Sequence, residues 1–366
     1  MADRVMPGAL APFADRLPAF ADRILHWWDA HGRKDLPWQQ PRTPYRVWIS
    51  EIMLQQTQVA TVIPYFQRWL RDFPDIATLA AAPLDAVLAH WSGLGYYARA
   101  RNLHRAALAC MEQHGGALPT DAAALAALPG IGQSTANAIV SQSRDIPAAV
   151  LDGNVRRVLA RHAAIAGWPG QAAVQKRLWA EAEARLPTTR GADYTQGVMD
   201  LGAMVCTRAK PDCPDCPVRE DCRALRLGRV NEVPTPKPRT KVGERTLYLL
   251  ILRDGAGRVL LEQRPAAGIW GGLWCLPDGA DLAAIEARLG LRANRPMPLP
   301  AFEHRLSHLR LSLRPVLADG CDATQVQSST ERGWFDAGQQ ARLGLPQPVT
   351  QLLARINGGE LRGDSG

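Results

Sequence analysis

Four cysteines in one short run, Cys206, Cys213, Cys216 and Cys222, constrain this chain more than any other feature. They lie in CTRAKPDCPDCPVREDC with spacing C-x6-C-x2-C-x5-C. Four thiols brought together by a short loop hold a metal centre rather than disulfides. Pro211, Pro214 and Pro217 keep that loop, residues 206–222, from forming a regular helix. Zinc prefers paired CxxC knuckles, and only one such pair is present. Unequal gaps suit a cubane iron–sulfur cluster better, although spacing alone leaves both centres open.

A chain of 366 residues has room for two or three domains. Its net charge is +8, and basic residues are in excess on both sides of residue 230. That balance fits a polyanionic partner and equally fits an ordinary basic protein. Cys110, Cys275 and Cys321 are scattered outside the cluster run, which points to a reducing compartment. No run of 18 apolar residues is present, and the start MADRVMPGALAPF lacks a charged end followed by a long apolar stretch. We expect no membrane span, no secretory signal and a cytoplasmic protein, nucleoid-associated if bacterial.

The pattern changes once along the chain. Residues 1–229 are helical in period, with Ala77–Trp91, Ala98–Gln113, Asp121–Leu128 and Ser134–Ser143 as examples. Residues 230–245, VNEVPTPKPRTKVGER, have the composition of an extended linker. Residues 246–358 then turn β-like. TLYLLILR (246–253) and RVLLEQR (258–264) flank a DGAG turn, and LRLSLRPVLA (309–318) alternates like a strand. With helices near Asp281–Leu289 and Val349–Ile356, this second part is α+β.

Three further groups of residues carry chemistry. LPGIGQSTANAI joins two helices within residues 121–144, and Gly130 and Gly132 permit a tight turn. Its outward N–H groups and the following helix N-terminus suit a DNA phosphate, although such a joint also occurs as a plain turn. Glu51 sits among Trp48, Ile49, Ile52, Met53 and Leu54. A carboxyl in apolar surroundings is costly to ionise, as a general acid requires, whereas at a helix start it is an ordinary surface group. Asp152 precedes a helix in AAVLDGNVRRVLARH. It is either a simple N-cap or a lasting negative charge held ionised by backbone N–H groups. An acid of raised pKa beside a carboxylate of low pKa is the pair used to break glycosidic bonds.

These stretches, together with GRKDLPW (32–38), TPYRVWISEIMLQQTQVATVIPYF (43–66), WSGLGYYARARNLH (91–104) and MDLGAMVCTR (199–208), resemble the MutY-type adenine DNA glycosylases of the helix-hairpin-helix, endonuclease III superfamily. The resemblance implies an all-α glycosylase domain with a [4Fe-4S] cluster on the four cysteines, and a Nudix-like domain behind the linker. It implies excision of adenine paired with 8-oxoguanine or guanine in double-stranded DNA; one duplex clamped by two domains suggests a monomer, and the lack of an apolar run predicts no membrane partner. Glu51 then protonates adenine N7 and Asp152 steadies the sugar cation. Asn154 supports the pair, and Trp38 and Leu54 take pocket positions. Gln56, Thr57, Leu94 and Tyr96 match residues that probe the opposite base or wedge the stack, with one of Tyr96 and Tyr97 in the core and the other inserted. Lyase relatives carry lysine where this chain has Ser134, and a hydroxyl forms no Schiff base. Residues 280–291 hold one glutamate, Glu286, in place of the glutamate-rich run of Nudix hydrolases. Ser307 and His308 match the loop that contacts 8-oxoguanine, with Leu306 where many relatives have phenylalanine.

Overall fold

A computed structural model describes residues 18–238, 242–306, 309–321, 326 and 329–359. The chain packs as two units. The first takes residues 1–51 and 118–238, and the second takes 52–117 and 239–366.

The first unit is helical. Its centre is the helix Gly191–Met204, where Tyr194, Thr195, Val198, Asp200 and Leu201 are all buried. Small residues make that depth possible. A Cβ on Gly202 would stand 2.7 Å from Cβ of Asn154, so only glycine lets the helix Gly153–His162 lie this close. Ile24 and Trp28 of the helix Phe20–His31, with Val155, Val158 and Leu159, complete one apolar core. Asp200, fully buried, accepts Arg33 Nε at 2.9 Å, Arg33 Nη2 at 2.6 Å and Gln196 Nε2 at 2.8 Å. A buried carboxylate needs such partners. The ion pair anchors the loop that leads to Trp38.

The helical expectations hold with small shifts. Asp121 caps the helix Ala122–Ala127 through Ala124 N at 2.9 Å, and the helix Gln133–Arg144 follows Gly132. The stretch 77–91 is two helices, Ile76–Ala81 and Leu84–His90, rather than one. Pro83 between them lacks the N–H that a continuous helix would use.

The second unit combines the helices Val59–Asp72, Ile76–Ala81, Leu84–His90 and Ala98–Gln113 with a mixed sheet. Strand Gly243–Asp254 pairs in parallel with Leu309–Cys321, Leu247 facing Leu313, and antiparallel with Val259–Gln263. Val259–Gln263 continues to Trp274–Cys275 and Arg332–Phe335. The turn after Asp254 is closed by its own carboxylate, which accepts Ala256 N at 3.0 Å and Arg258 N at 2.8 Å. Ile285 and Leu289 of the helix Leu282–Leu289 pack on Leu250, Leu252 and Val316. Within this unit polar contacts tie the helices to the sheet. Tyr97 Oη donates to Leu345 O at 2.9 Å, Trp274 Nε1 donates to Asp85 Oδ2 at 3.2 Å, and Arg101 Nη1 donates to Gly271 O.

Candidate active site

Asp152 owes its position to a helix start. It is the N-cap of Gly153–His162, and its Oδ1 accepts Val155 N at 2.7 Å. Two side chains from the helix Gln133–Arg144 fix the strand of chain that delivers it. Ser134 Oγ accepts Leu151 N at 3.0 Å, and Asn137 Nδ2 donates to Ala149 O at 2.6 Å. Ser134 is therefore a brace for the residue beside Asp152.

Glu51 lies on the helix Pro44–Leu54, and its Oε1 accepts Gln142 Nε2 at 2.8 Å. Gln142 is itself buried. Burial raises the Glu51 carboxyl, the negative charge of Asp152 raises it further, and the Gln142 bond opposes both. The result is a pKa of about 7. The structure thus brings Glu51 and Asp152 within electrostatic reach of each other, with a neutral amide steadying the acid.

Asp152 departs from expectation. Sequence reasoning made it a low-pKa carboxylate, yet its pKa is raised. Desolvation is the largest influence and outweighs the N–H groups of Val155 and Asn154 and the charges of Arg157 and Arg156. A negative charge on Asp152 nevertheless contributes to the rise at Glu51, so the two carboxyls are electrostatically coupled. The direction expected at Asp152, a lowered pKa, is not what its buried position gives.

The joint before Gln133 is a tight turn with an open side. Gly130 has φ +79°, a left-handed conformation that favours glycine. Gly132 is exposed at the N-cap, and a Cβ there would meet nothing within 4 Å. The first N–H groups of a helix have no intrahelical acceptor, so they are available to an outside group.

The four cysteines come together. Cys206, Cys213, Cys216 and Cys222 line one space together with Val158, Arg161, Val205 and Val218. Among the described residues no three His, Cys, Asp or Glu side chains are grouped to hold a single metal ion. Four thiols lining one space are the donor set that an iron–sulfur cluster takes. Burial pushes the Cys216 thiol up to about 12, so a thiolate at this point requires cationic partners. Arg161, buried, places a cation beside a different cysteine of the set, Cys206. Its Nη1 lies 3.3 Å from Cys206 Sγ and 2.7 Å from Thr207 O, and its Nε donates to Val230 O and Val233 O, each at 2.9 Å. Arg157 extends the link to Asp152's helix, donating through Nε to Cys206 O at 2.6 Å and through Nη2 to Asn154 Oδ1 at 2.9 Å. The donor set fits an iron–sulfur cluster.

The residues expected to read DNA differ in exposure. Trp38 and Leu94 are buried, at 3% and 6% exposure. Tyr96 is 48% exposed, whereas Tyr97 is half-buried and hydrogen-bonded to Leu345. Gln56 is exposed and Thr57 half-buried. Ser307 and His308 lie outside the described residues. Glu286 accepts Ala293 N at 2.8 Å. Sequence reasoning missed Gln142, Arg99 and Arg161. Arg161 left a signal, since it continues the helix face of Val158 and Leu159 into the core.

Residues 49–184 match the model of the HhH-GPD superfamily of base excision DNA repair proteins, and residues 248–355 match the NUDIX domain. The chain is 35% identical over 340 residues to the adenine DNA glycosylase of Buchnera aphidicola subsp. Baizongia pistaciae (strain Bp), spanning 92% of this chain and 96% of that one. It is 43% identical over 346 residues to the adenine DNA glycosylase of Mus musculus, spanning 80% of this chain and 67% of the mouse protein. Among solved structures, a thermostable thymine-DNA glycosylase is similar at 27% identity and TM-score 0.51, over 57% of this chain and 95% of that one.

Proposed function

The chain belongs to the adenine DNA glycosylase family, and from that premise we propose that it removes adenine mispaired with 8-oxoguanine or guanine in duplex DNA by hydrolysing the N-glycosidic bond. The observation that carries this reading is the pair itself: Glu51, with a pKa of about 7 and a hydrogen bond from Gln142, within electrostatic reach of the Asp152 carboxyl.

The adenine must leave the stack before its bond can be reached. Glu51 in its protonated form donates to adenine N7, which turns the base into a better leaving group. As the C1′–N9 bond breaks, positive charge builds on the sugar, and ionised Asp152 stabilises it. Glu51, now a carboxylate, accepts a proton from the attacking water. Ser134 braces the Asp152 segment and offers no amine, which supports hydrolysis without a Schiff base. Gly130, Gly132 and the helix start behind them hold a backbone phosphate. Gln56, Thr57, Leu94 and Tyr96, with Ser307 and His308, are assigned to the opposite base and the wedge. Trp38 and Asn154 support the pocket.

Cys206, Cys213, Cys216 and Cys222 would hold a [4Fe-4S] cluster. The cluster would supply structure, fixing the loop that carries Arg208, Lys210, Arg219 and Arg223 for phosphate contact. The enzyme works as a monomer on DNA. Among the described residues no helix is long and apolar enough to cross a membrane.

Single-turnover adenine release from an A:8-oxoguanine duplex tests the proposal. Release by the wild type, lost in Glu51→Gln and in Asp152→Asn, is expected. No release from a cluster-loaded wild type overturns it. Strong borohydride trapping on that duplex would replace hydrolysis with a lyase route.

A further inference from the structure

Among the residues of the second unit with left-handed backbone, which side chains rarely adopt, two lie in the loops assigned to DNA contact. Gln56 has φ 59° and Tyr96 has φ 49°. Both are exposed, and they belong to different loops, 40 residues apart in sequence. Strain of this kind persists only where the surroundings over-determine it.

The same side chain sits behind both. Arg99 is 9% exposed. Its Nη1 faces the carbonyls of Ile52, Met53 and Gln55 at 2.9, 2.9 and 2.6 Å. Its Nη2 faces Leu94 O at 3.0 Å, Gly95 O at 3.1 Å and Thr57 Oγ1 at 3.3 Å. Gln55 and Gly95 are the residues immediately before Gln56 and Tyr96, so the carbonyl entering each strained position is held by one guanidinium. The Arg99 head group also lies 5.6 Å from the Tyr96 ring centroid and 5.1 Å from that of Trp91. Trp91 Nε1 gives Gly95 O a second donor at 3.0 Å. Carbonyls 52 and 53 belong to the last turn of Pro44–Leu54, which lacks intrahelical partners, so Arg99 also serves as that helix's C-terminal cap.

We infer that Arg99 is a positioning residue that makes the loop of Gln56 and Thr57 and the loop of Tyr96 a single DNA-reading element. Neither loop holds its exposed side chain alone. Both conformations are fixed by donors on one planar head group, a geometry lysine cannot reproduce. The inference rests on the assignment of Gln56, Thr57 and Tyr96 to DNA contact, and it adds that their contributions are coupled.

The test is a set of double-mutant cycles. Affinity is measured for a duplex with an uncleavable adenine analogue opposite 8-oxoguanine and for a fully matched duplex, and the ratio of the two is the discrimination. Arg99→Lys, Gln56→Ala and Tyr96→Ala are compared singly and in pairs. Arg99→Lys should lower discrimination about tenfold, as expected for losing several charged hydrogen bonds. Adding Gln56→Ala or Tyr96→Ala to Arg99→Lys should then cost less than about twofold more, because the lost element is already gone. Effects that multiply in the double variants, or wild-type discrimination in Arg99→Lys, overturn the inference. Should Arg99→Lys fail to fold, Thr57→Val removes one acceptor and keeps the cation. Amide exchange should then quicken in residues 55–57 and in 94–96 together, and quickening confined to 55–57 overturns the coupling. Wild type that couples in this way yet releases no adenine would refute the proposed reaction and leave the coupling standing.

Discussion

The protein buries a charge-bearing group in two places and uses the low dielectric in opposite ways. At Glu51 the surroundings give the carboxyl one amide partner and a neighbouring negative charge, so the proton stays on and the pKa reaches about 7. At Arg99 the surroundings give the guanidinium six acceptors, and although burial lowers its pKa, that value is still about 10. A group that must exchange a proton is left short of partners, and a group that must hold two loops in place has acceptors on both of its terminal nitrogens. Burial alone therefore does not mark a catalytic residue; the deficit of partners does.

The largest effect that tests this contrast is chemical. Asp152→Asn keeps a cap for the helix but removes the charge, and adenine release in single turnover should fall by at least about 10³-fold. A loss under about tenfold would mean that Asp152 is only the N-cap. Next comes stability. Arg99→Met strips a cation from six acceptors and should cost roughly 3 to 5 kcal/mol by denaturant unfolding. Glu51→Gln should move the other way. A carboxyl whose folded pKa exceeds its unfolded value binds its proton more tightly when folded, so stability falls as pH rises from about 4.5 through about 7. Removing that carboxyl should stabilise the fold at pH 8 by roughly 1 to 3 kcal/mol, with little change at pH 4. If both variants destabilise equally at pH 8, the two regions do not differ as described.

What the sequence conveyed follows the same division. The cysteine spacing and a lone carboxyl in an apolar run are local patterns, and the structure places the four cysteines on one space and Glu51 within electrostatic reach of Asp152. Asp152 was legible as a group but not in its direction of shift, because desolvation comes from distant segments that no local window contains. Arg99 was illegible. In ARARNLH it has the same type and spacing as Arg101, and nothing in the letters says which one turns inward to meet carbonyls 40 and more residues away. The parallel pairing of Gly243–Asp254 with Leu309–Cys321 was hidden for the same reason, since each strand reads correctly alone and their register is a long-range fact.

The smallest effect concerns the amide that opposes the rise at Glu51. With the acid required protonated, adenine release in single turnover should be level below pH 7 until Asp152 gains its own proton, and should fall about tenfold per pH unit well above pH 7. Gln142→Leu removes the one hydrogen bond that favours the ionised form. The basic limb should then move upward, so that release at pH 8 rises severalfold while release at pH 6 changes little. A downward move would mean that Gln142 favours the protonated acid. No move at all would mean that the limb belongs to a group other than Glu51, and the partner-deficit argument would lose its central case.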